Sequence, residues 1–234
     1  MSAPPIRAIF FDAGNTLIRM DPVAIAGALA EQGVRTSVED VQRAEWRARV
    51  RLDASFNQGT STEHPSTGDR YLVYILDELG VRSPATVAAL TAWRGRYNPP
   101  KGLWTAMEPE AEAALMLARR AGLTTAVISN SNGTVADILG ELGLGRHLDF
   151  VIDSSEVGVE KPDPRIFQIA LDRAGLEPSQ AAYVGDLYSI DVLGARAAGL
   201  HAILMDPGAC WPPRDCPTAR TPLDAVQLLL TPAK

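Results

Sequence analysis

Residues 6–17 read IRAIFFDAGNTL, an apolar run that stops abruptly at a turn of small and polar residues. Such a run is typical of a buried β-strand followed by a loop. Four later apolar runs are each followed within two residues by Ser or Asp, at residues 124–128, 150–152, 181–184 and 201–205. Helical patterns separate them, at residues 109–121, 135–142, 164–174 and 190–198. Apolar strands alternating with helices indicate an α/β fold, a parallel sheet covered on both faces.

Residues 20–100 have a different pattern, because helical stretches dominate and no strand is recognisable there. Asp21 with Pro22 and Ser37 are typical helix caps, and they predict helices over residues 22–33 and 38–46. Further helices are predicted at residues 70–79 and 85–93, with a polar loop at residues 57–68 that we expect to line the substrate cleft. We therefore predict an all-helical cap (residues 19–101) over a Rossmann-like three-layer core (residues 1–18 and 102–234), where ligands of such sheets bind.

The composition limits the classes of partner. A net charge of −6 provides no basic surface of the kind that nucleic acid or an anionic membrane requires. No apolar run approaches the roughly 20 residues that span a bilayer, and the first residues lack the order of a signal peptide. We expect a soluble, cytoplasmic monomer or homodimer, in which Cys210 and Cys216 are more readily interpreted as two thiols than as a disulfide.

Several polar residues with chemical potential follow the predicted strands. Asp12, Ser129 and Asp186 come at strand ends, with Asp191 shortly after and Lys161 in a nearby loop. Taken singly, each has an ordinary explanation as a turn former, a helix cap or a surface charge. Together at one sheet edge they suit phosphoryl transfer, in which a carboxylate attacks phosphorus and other carboxylates hold Mg²⁺.

Four stretches carry a resemblance to a known family: AIFFDAGNTL (8–17), AVISNSNG (126–133), SSEVGVEKPDPRIF (154–167) and YVGDLYSIDVLGARAAGL (183–200). In this order they resemble the haloacid dehalogenase superfamily over nearly the whole chain. The resemblance implies a Rossmann-like core, a helical cap after the first motif, and hydrolysis of a small phosphorylated metabolite.

The resemblance also implies roles for single residues. Asp12 is the expected nucleophile, and Lys161 is expected to orient it and to stabilise charge. Ser129, Asn130 and Thr16 are the expected substrate-binding residues.

The implied cofactor is Mg²⁺. Its expected ligands are Asp12, the backbone carbonyl of Gly14 and Asp186, with Asp191 supporting the shell or binding through water. Phosphatases of the superfamily carry a second aspartate at the position of Gly14, where it protonates the leaving group and activates water. Glycine keeps the carbonyl and removes that acid/base group, a step that typically contributes about 10²–10⁴-fold.

Gly14 leaves several interpretations open. Glu63, His64 or Asn15 could replace the acid/base, each against the simpler interpretation of a surface residue. The 2-haloacid dehalogenases also lack the second aspartate and need no metal, although they do not keep the acidic fourth motif that contains Asp186.

Two further alternatives concern the substrate bond and the absence of catalysis. The phosphonate-cleaving branch needs a cap lysine, and residues 1–100 contain none. A catalytically silent protein that binds a phosphorylated ligand or a partner protein is the non-enzymatic alternative. Arg47, Arg49 and Arg51 could meet an anionic substrate, but residues spaced two apart cannot share one helix face, so most are expected to be solvated.

Overall fold

A computed structural model describes residues 5–56 and 61–231. Its strands are β1 (Ala8–Phe11), β2 (Ile18–Met20), β3 (Trp104–Met107), β4 (Thr124–Ser129), β5 (Phe150–Asp153), β6 (Ala181–Gly185), β7 (His201–Met205) and β8 (Thr218–Ala219). Its α-helices are α1 (Pro22–Glu31), α2 (Val38–Ala54), α3 (Pro65–Glu78), α4 (Pro84–Arg94), α5 (Ala111–Arg120), α6 (Val135–Glu141), α7 (Ser154–Val157), α8 (Pro164–Ala174), α9 (Leu193–Ala197) and α10 (Pro222–Leu230). A π-helical turn, Tyr188–Val192, precedes α9.

The predicted parallel sheet is confirmed. Six strands follow the order β5-β4-β1-β6-β7-β8, and every neighbouring pair is parallel. The strand β1 lies at the centre, between β4 and β6, so the residues that follow these three strands meet at one edge. This topology places Asp12 in the middle of that edge.

Both faces of the sheet are covered. Along β1, Ile9 and Phe11 point into one apolar cluster, whereas Ala8 and Phe10 point into the other. The side chains alternate because successive residues of a strand face opposite sides. The result is the predicted three-layer core.

The helices α1 to α4 follow β2 and build a separate apolar cluster, whose buried members all come from residues 20–103. Two predicted bounds were wrong. The helix α2 continues beyond Trp46 to Ala54, because Ala48 and Leu52 extend its buried face. The helix α3 already begins at Pro65, capped by His64, so the predicted loop is shorter; its residues 57–60 lie outside the described residues.

The strands β2 and β3 were not predicted. They pair in antiparallel fashion where the chain enters and leaves the helical segment, and only Arg19 and Met20 of these strands fall within residues 19–101. Strands of three and four residues are too short for a pattern of alternation to be recognised. The exact domain boundaries remain a prediction.

Cys210 and Cys216 are free thiols. Among the described residues, no helix has the length and apolar character needed to traverse a membrane.

Candidate active site

The central strand end carries a buried carboxylate. Asp12 follows β1 and donates its backbone N–H to the carbonyl of Val184 on β6, at 2.8 Å. Its side chain forms part of the wall of a cleft that encloses about 310 Å³ between the sheet edge and the helices α2 to α4. Asp12 is only 7% exposed, so its carboxylate is largely removed from bulk water.

Lys161 is the cation at the base of the cleft. Its Nζ donates hydrogen bonds to Asp12 Oδ1 at 2.5 Å, to Asp191 Oδ1 at 2.8 Å and to the Tyr183 hydroxyl at 2.8 Å. Asn130 fixes the backbone of Lys161 from both sides, because its amide group accepts from the N–H and donates to the carbonyl. The three hydrogen bonds from Nζ to Asp12, Asp191 and Tyr183 use all three donor positions of the ammonium group.

The charges in this cluster shift one another's pKa values. Burial raises the pKa of Asp12 to about 6, although the nearby Lys161 opposes the shift. Burial alone would lower the pKa of Lys161, but Asp12 and Asp191 more than offset it, so the pKa lies above its usual range. Lys161 therefore stays charged and keeps Asp12 largely ionised at neutral pH.

Asp186 is the third carboxylate. Oxygen atoms of Asp12, Asp186 and Asp191 lie within 4.8 Å of one another, and all three residues are buried. Burial raises the pKa of Asp186 well above its usual value, with Arg49 opposing the shift. Buried carboxylates at this separation repel one another unless a cation compensates them, and hard oxygen donors are the ligands that Mg²⁺ prefers.

Gly14 lies under an aromatic ring. A Cβ atom at this position would be 3.3 Å from Cζ3 of Trp104, which is closer than a comfortable contact. Trp104 belongs to β3 and also packs near Tyr71, with ring centroids 6.3 Å apart. A side chain at position 14 would therefore require the indole to shift slightly, and the sequence pattern does not indicate this contact because β3 is too short to be recognised.

A second buried charge cluster comes from the helical segment, and sequence reasoning missed it. Arg49 on α2 donates to both carboxylate oxygens of Glu45, at 2.8 and 2.6 Å, and its Nη1 lies 3.7 Å from Asp186 Oδ2. The Tyr71 hydroxyl on α3 donates to Glu45. Asn15 donates to the Tyr71 hydroxyl at 3.0 Å and to Asp186 Oδ2 at 3.1 Å.

Only one of the three neighbouring arginines thus reaches the site. Arg47 and Arg51 pair on the surface with acidic residues of α3. The spacing argument correctly predicted that the three would not share one face, but it could not identify Arg49 as the buried one.

The remaining predicted residues differ in position. Ser129 and Asn130 lie on the cleft wall, whereas Thr16 is fully buried and does not contribute to that wall. Its hydroxyl has no hydrogen-bond partner among the described residues. Asn15, which precedes Thr16, has a positive φ of 54°.

Two candidate acid/base residues, Glu63 and His64, also line the cleft. The imidazole of His64 caps α3 by accepting from the Ser66 N–H. Although Glu63 is an exposed residue, desolvation by the protein around it, and then the charges of Glu160 and Asp12, raise its pKa to about 7.

Comparisons with known proteins bear on the family and the fold of this chain. The family model for haloacid dehalogenase-like hydrolases matches residues 6–199. The cattle haloacid dehalogenase-like hydrolase domain-containing protein 3 is 34% identical over 208 residues, covering 86% of this chain and 82% of the relative. Phosphoserine phosphatase of Thermus thermophilus is 47% identical over 104 residues, 43% of this chain and 41% of the relative. A dehalogenase solved with an intermediate shares the fold at a TM-score of 0.66, with 21% identity over 99% of this chain and 100% of its own.

Proposed function

The chain belongs to the haloacid dehalogenase-like hydrolase family, and from that premise we propose that it is a Mg²⁺-dependent phosphatase that acts through Asp12. The observation that carries the proposal is the direct hydrogen bond from Lys161 to Asp12 at the base of the cleft. A buried carboxylate held in one orientation by a fixed cation is suited to act as a nucleophile. The partial similarity to a phosphoserine phosphatase supports a small phosphorylated metabolite as substrate.

The proposed reaction has two steps. A carboxylate oxygen of Asp12 attacks phosphorus, the bond from phosphorus to the ester oxygen breaks, and the alcohol leaves after taking up a proton. Water then cleaves the aspartyl-phosphate, releases inorganic phosphate and regenerates the carboxylate. Lys161 stays protonated throughout and offsets the negative charge that gathers near Asp12.

The residues present fit a divalent cation. Three buried carboxylates within 4.8 Å of one another offer the oxygen donors that Mg²⁺ requires, and Gly14 lines the same cleft. We assign Asp12, the Gly14 carbonyl and Asp186 as ligands, with Asp191 supporting the site through Lys161. The ion, when bound, would neutralise the phosphoryl oxygens.

A second candidate is a metal-independent dehalogenase, in which Asp12 displaces halide from a 2-haloacid and the resulting ester is hydrolysed by water. Two observations favour it. Arg49 supplies part of the positive charge that Asp186 would otherwise need from a metal. Trp104 covers Gly14, and a halide leaving group needs no proton from that position.

One experiment separates these candidates. We would measure hydrolysis of p-nitrophenyl phosphate, with Mg²⁺ or with EDTA, beside chloride release from 2-chloropropionate. Phosphatase activity that disappears with EDTA supports the first candidate. Chloride release that persists in EDTA supports the second and contradicts the first. Silence in both assays supports a protein that only binds a phosphorylated ligand or a partner.

A further inference from the structure

The cluster of Glu45, Arg49 and Tyr71 lies on helices α2 and α3, yet it contacts the proposed metal carboxylate of the core. Glu45 and Arg49 are 2% and 3% exposed. Removing an ion pair from water is costly, and hydrophobic residues of similar volume are often as stable in its place. The position of this pair beside Asp186 therefore suggests a role beyond packing.

The contacts form a closed ring. Asp186 accepts from Asn15, Asn15 also donates to the Tyr71 hydroxyl, and that hydroxyl donates to Glu45. Glu45 accepts two hydrogen bonds from Arg49, which faces Asp186 again. Both helices are thereby connected to a single carboxylate oxygen of the core.

One link in this ring differs from the others. Arg49 Nη1 is buried, lies 3.7 Å from Asp186 Oδ2, and makes no hydrogen bond with any described residue. The attraction at this link is one of charge alone. A different cation could replace it at Asp186 without breaking a hydrogen bond.

We propose that Arg49 is a positioning residue that competes with Mg²⁺ for Asp186, and that the ring couples metal binding to the position of α2 and α3. This inference rests on the proposed metal dependence. The guanidinium group of Arg49, which is tied to Glu45 and hence to α2, would be repelled by a divalent ion bound at Asp186. The far end of α2 is held separately, because Asp53 accepts from the backbone and hydroxyl of Ser189. The expected displacement is therefore largest around Glu45 and Tyr71.

Calorimetric titration with MgCl₂ tests the competition without an activity assay. We expect R49M to bind Mg²⁺ at least about tenfold more tightly than the wild type, since a nearby positive charge is removed. The variant E45Q/R49M removes both charges of the pair, so the local net charge is unchanged and a folding defect from an unpaired Glu45 is avoided. If this variant also binds Mg²⁺ at least about tenfold more tightly than the wild type, the increase comes from direct competition at Asp186 and not from a change in local net charge.

Two controls complete the titration. R47M removes an exposed arginine of the same helix and should leave the affinity unchanged. R49K keeps the positive charge and should restore an affinity close to that of the wild type. Equal affinity of wild type and E45Q/R49M would overturn the inference while leaving metal dependence intact. Absence of Mg²⁺ binding in every variant would overturn the metal proposal and this inference with it.

Hydrogen exchange tests the coupling. In the wild type, Mg²⁺ should increase the exchange of amides in α2 and α3 near Glu45 and Tyr71. In E45Q/R49M these amides should exchange at the faster rate with and without the ion. Unchanged exchange in the wild type upon saturation with Mg²⁺ would contradict the coupling.

Discussion

Two buried cations flank the same group of carboxylates, and they are held in different ways. Lys161 comes from the core and donates three hydrogen bonds, two of them to Asp12 and Asp191. Arg49 comes from the helical segment and donates its hydrogen bonds to Glu45. Its Nη1 lies 3.7 Å from Asp186 Oδ2 and makes no hydrogen bond to it. The first cation is tied to the carboxylates by hydrogen bonds, whereas the second is held near them by charge alone, which is why we propose that another cation competes with it.

The largest expected effect comes from the carboxylate on the fixed side. D12N removes the proposed nucleophile, and we expect turnover of p-nitrophenyl phosphate to fall by at least about 10³-fold. Mass spectrometry of acid-quenched enzyme should detect an 80 Da adduct (about the mass of a phosphoryl group) in the wild type only. D172N, an exposed aspartate on α8, is the matched control. Near-normal turnover in D12N would exclude Asp12 as the nucleophile.

The next effect concerns stability. K161M leaves two buried carboxylates without their hydrogen-bonded cation, and loss of one partner in such a cluster typically costs about 3–5 kcal/mol. Urea unfolding measures it as a lower transition midpoint. K101M, which removes a surface ion pair with Glu141, should cost less than about 1 kcal/mol. A cost for K161M no larger than that for K101M would show that Lys161 is not a fixed, stabilising part of the buried cluster.

The residues on the Lys161 side of the cleft could be predicted from the sequence, because they follow strands of the core. Asp12, Ser129 and Asp186 follow apolar strands, and parallel strands place their carboxyl ends at one edge, so their convergence could be inferred. Lys161 was assigned from the motif around it. The structure brings these residues together, although their chemical roles remain predictions.

The other side of the cleft could not be inferred. Arg49 and Tyr71 lie on helices whose orientation over the sheet depends on tertiary packing, and the sequence limits only which residues share a helix face. Trp104 belongs to a four-residue strand that periodicity does not detect. The position of Thr16 is predicted from its motif alone, and the motif does not reveal that this residue is fully buried and outside the cleft wall.

A third experiment tests the acid/base function that Gly14 lacks. G14D alone places a side chain against Trp104, so the benefit should appear mainly in G14D/W104F. Relative to W104F, we expect about tenfold to a hundredfold faster turnover of alkyl phosphates and little change with aryl phosphates, because general acids matter most for poor leaving groups. G14A/W104F is the control without a carboxylate. An equal gain in that control would attribute the effect to shape rather than to proton transfer.

The smallest expected effect measures the electrostatics on the Arg49 side. Burial raises the pKa of Glu108 to about 7, with Arg19 and Arg49 opposing the shift. The folded protein thus binds this proton more tightly than the unfolded chain, and its stability decreases as pH rises from about 4.5 to 7. E108Q removes that cost. At pH 8 its free energy of unfolding, measured with urea, should exceed that of the wild type by no more than about 3 kcal/mol, and the difference should vanish near pH 4. E112Q removes a partly exposed glutamate of α5 whose pKa is lowered by hydrogen bonds from His147 and Arg146, so it should show no such gain at pH 8. A pH-independent difference for E108Q would exclude titration as its cause.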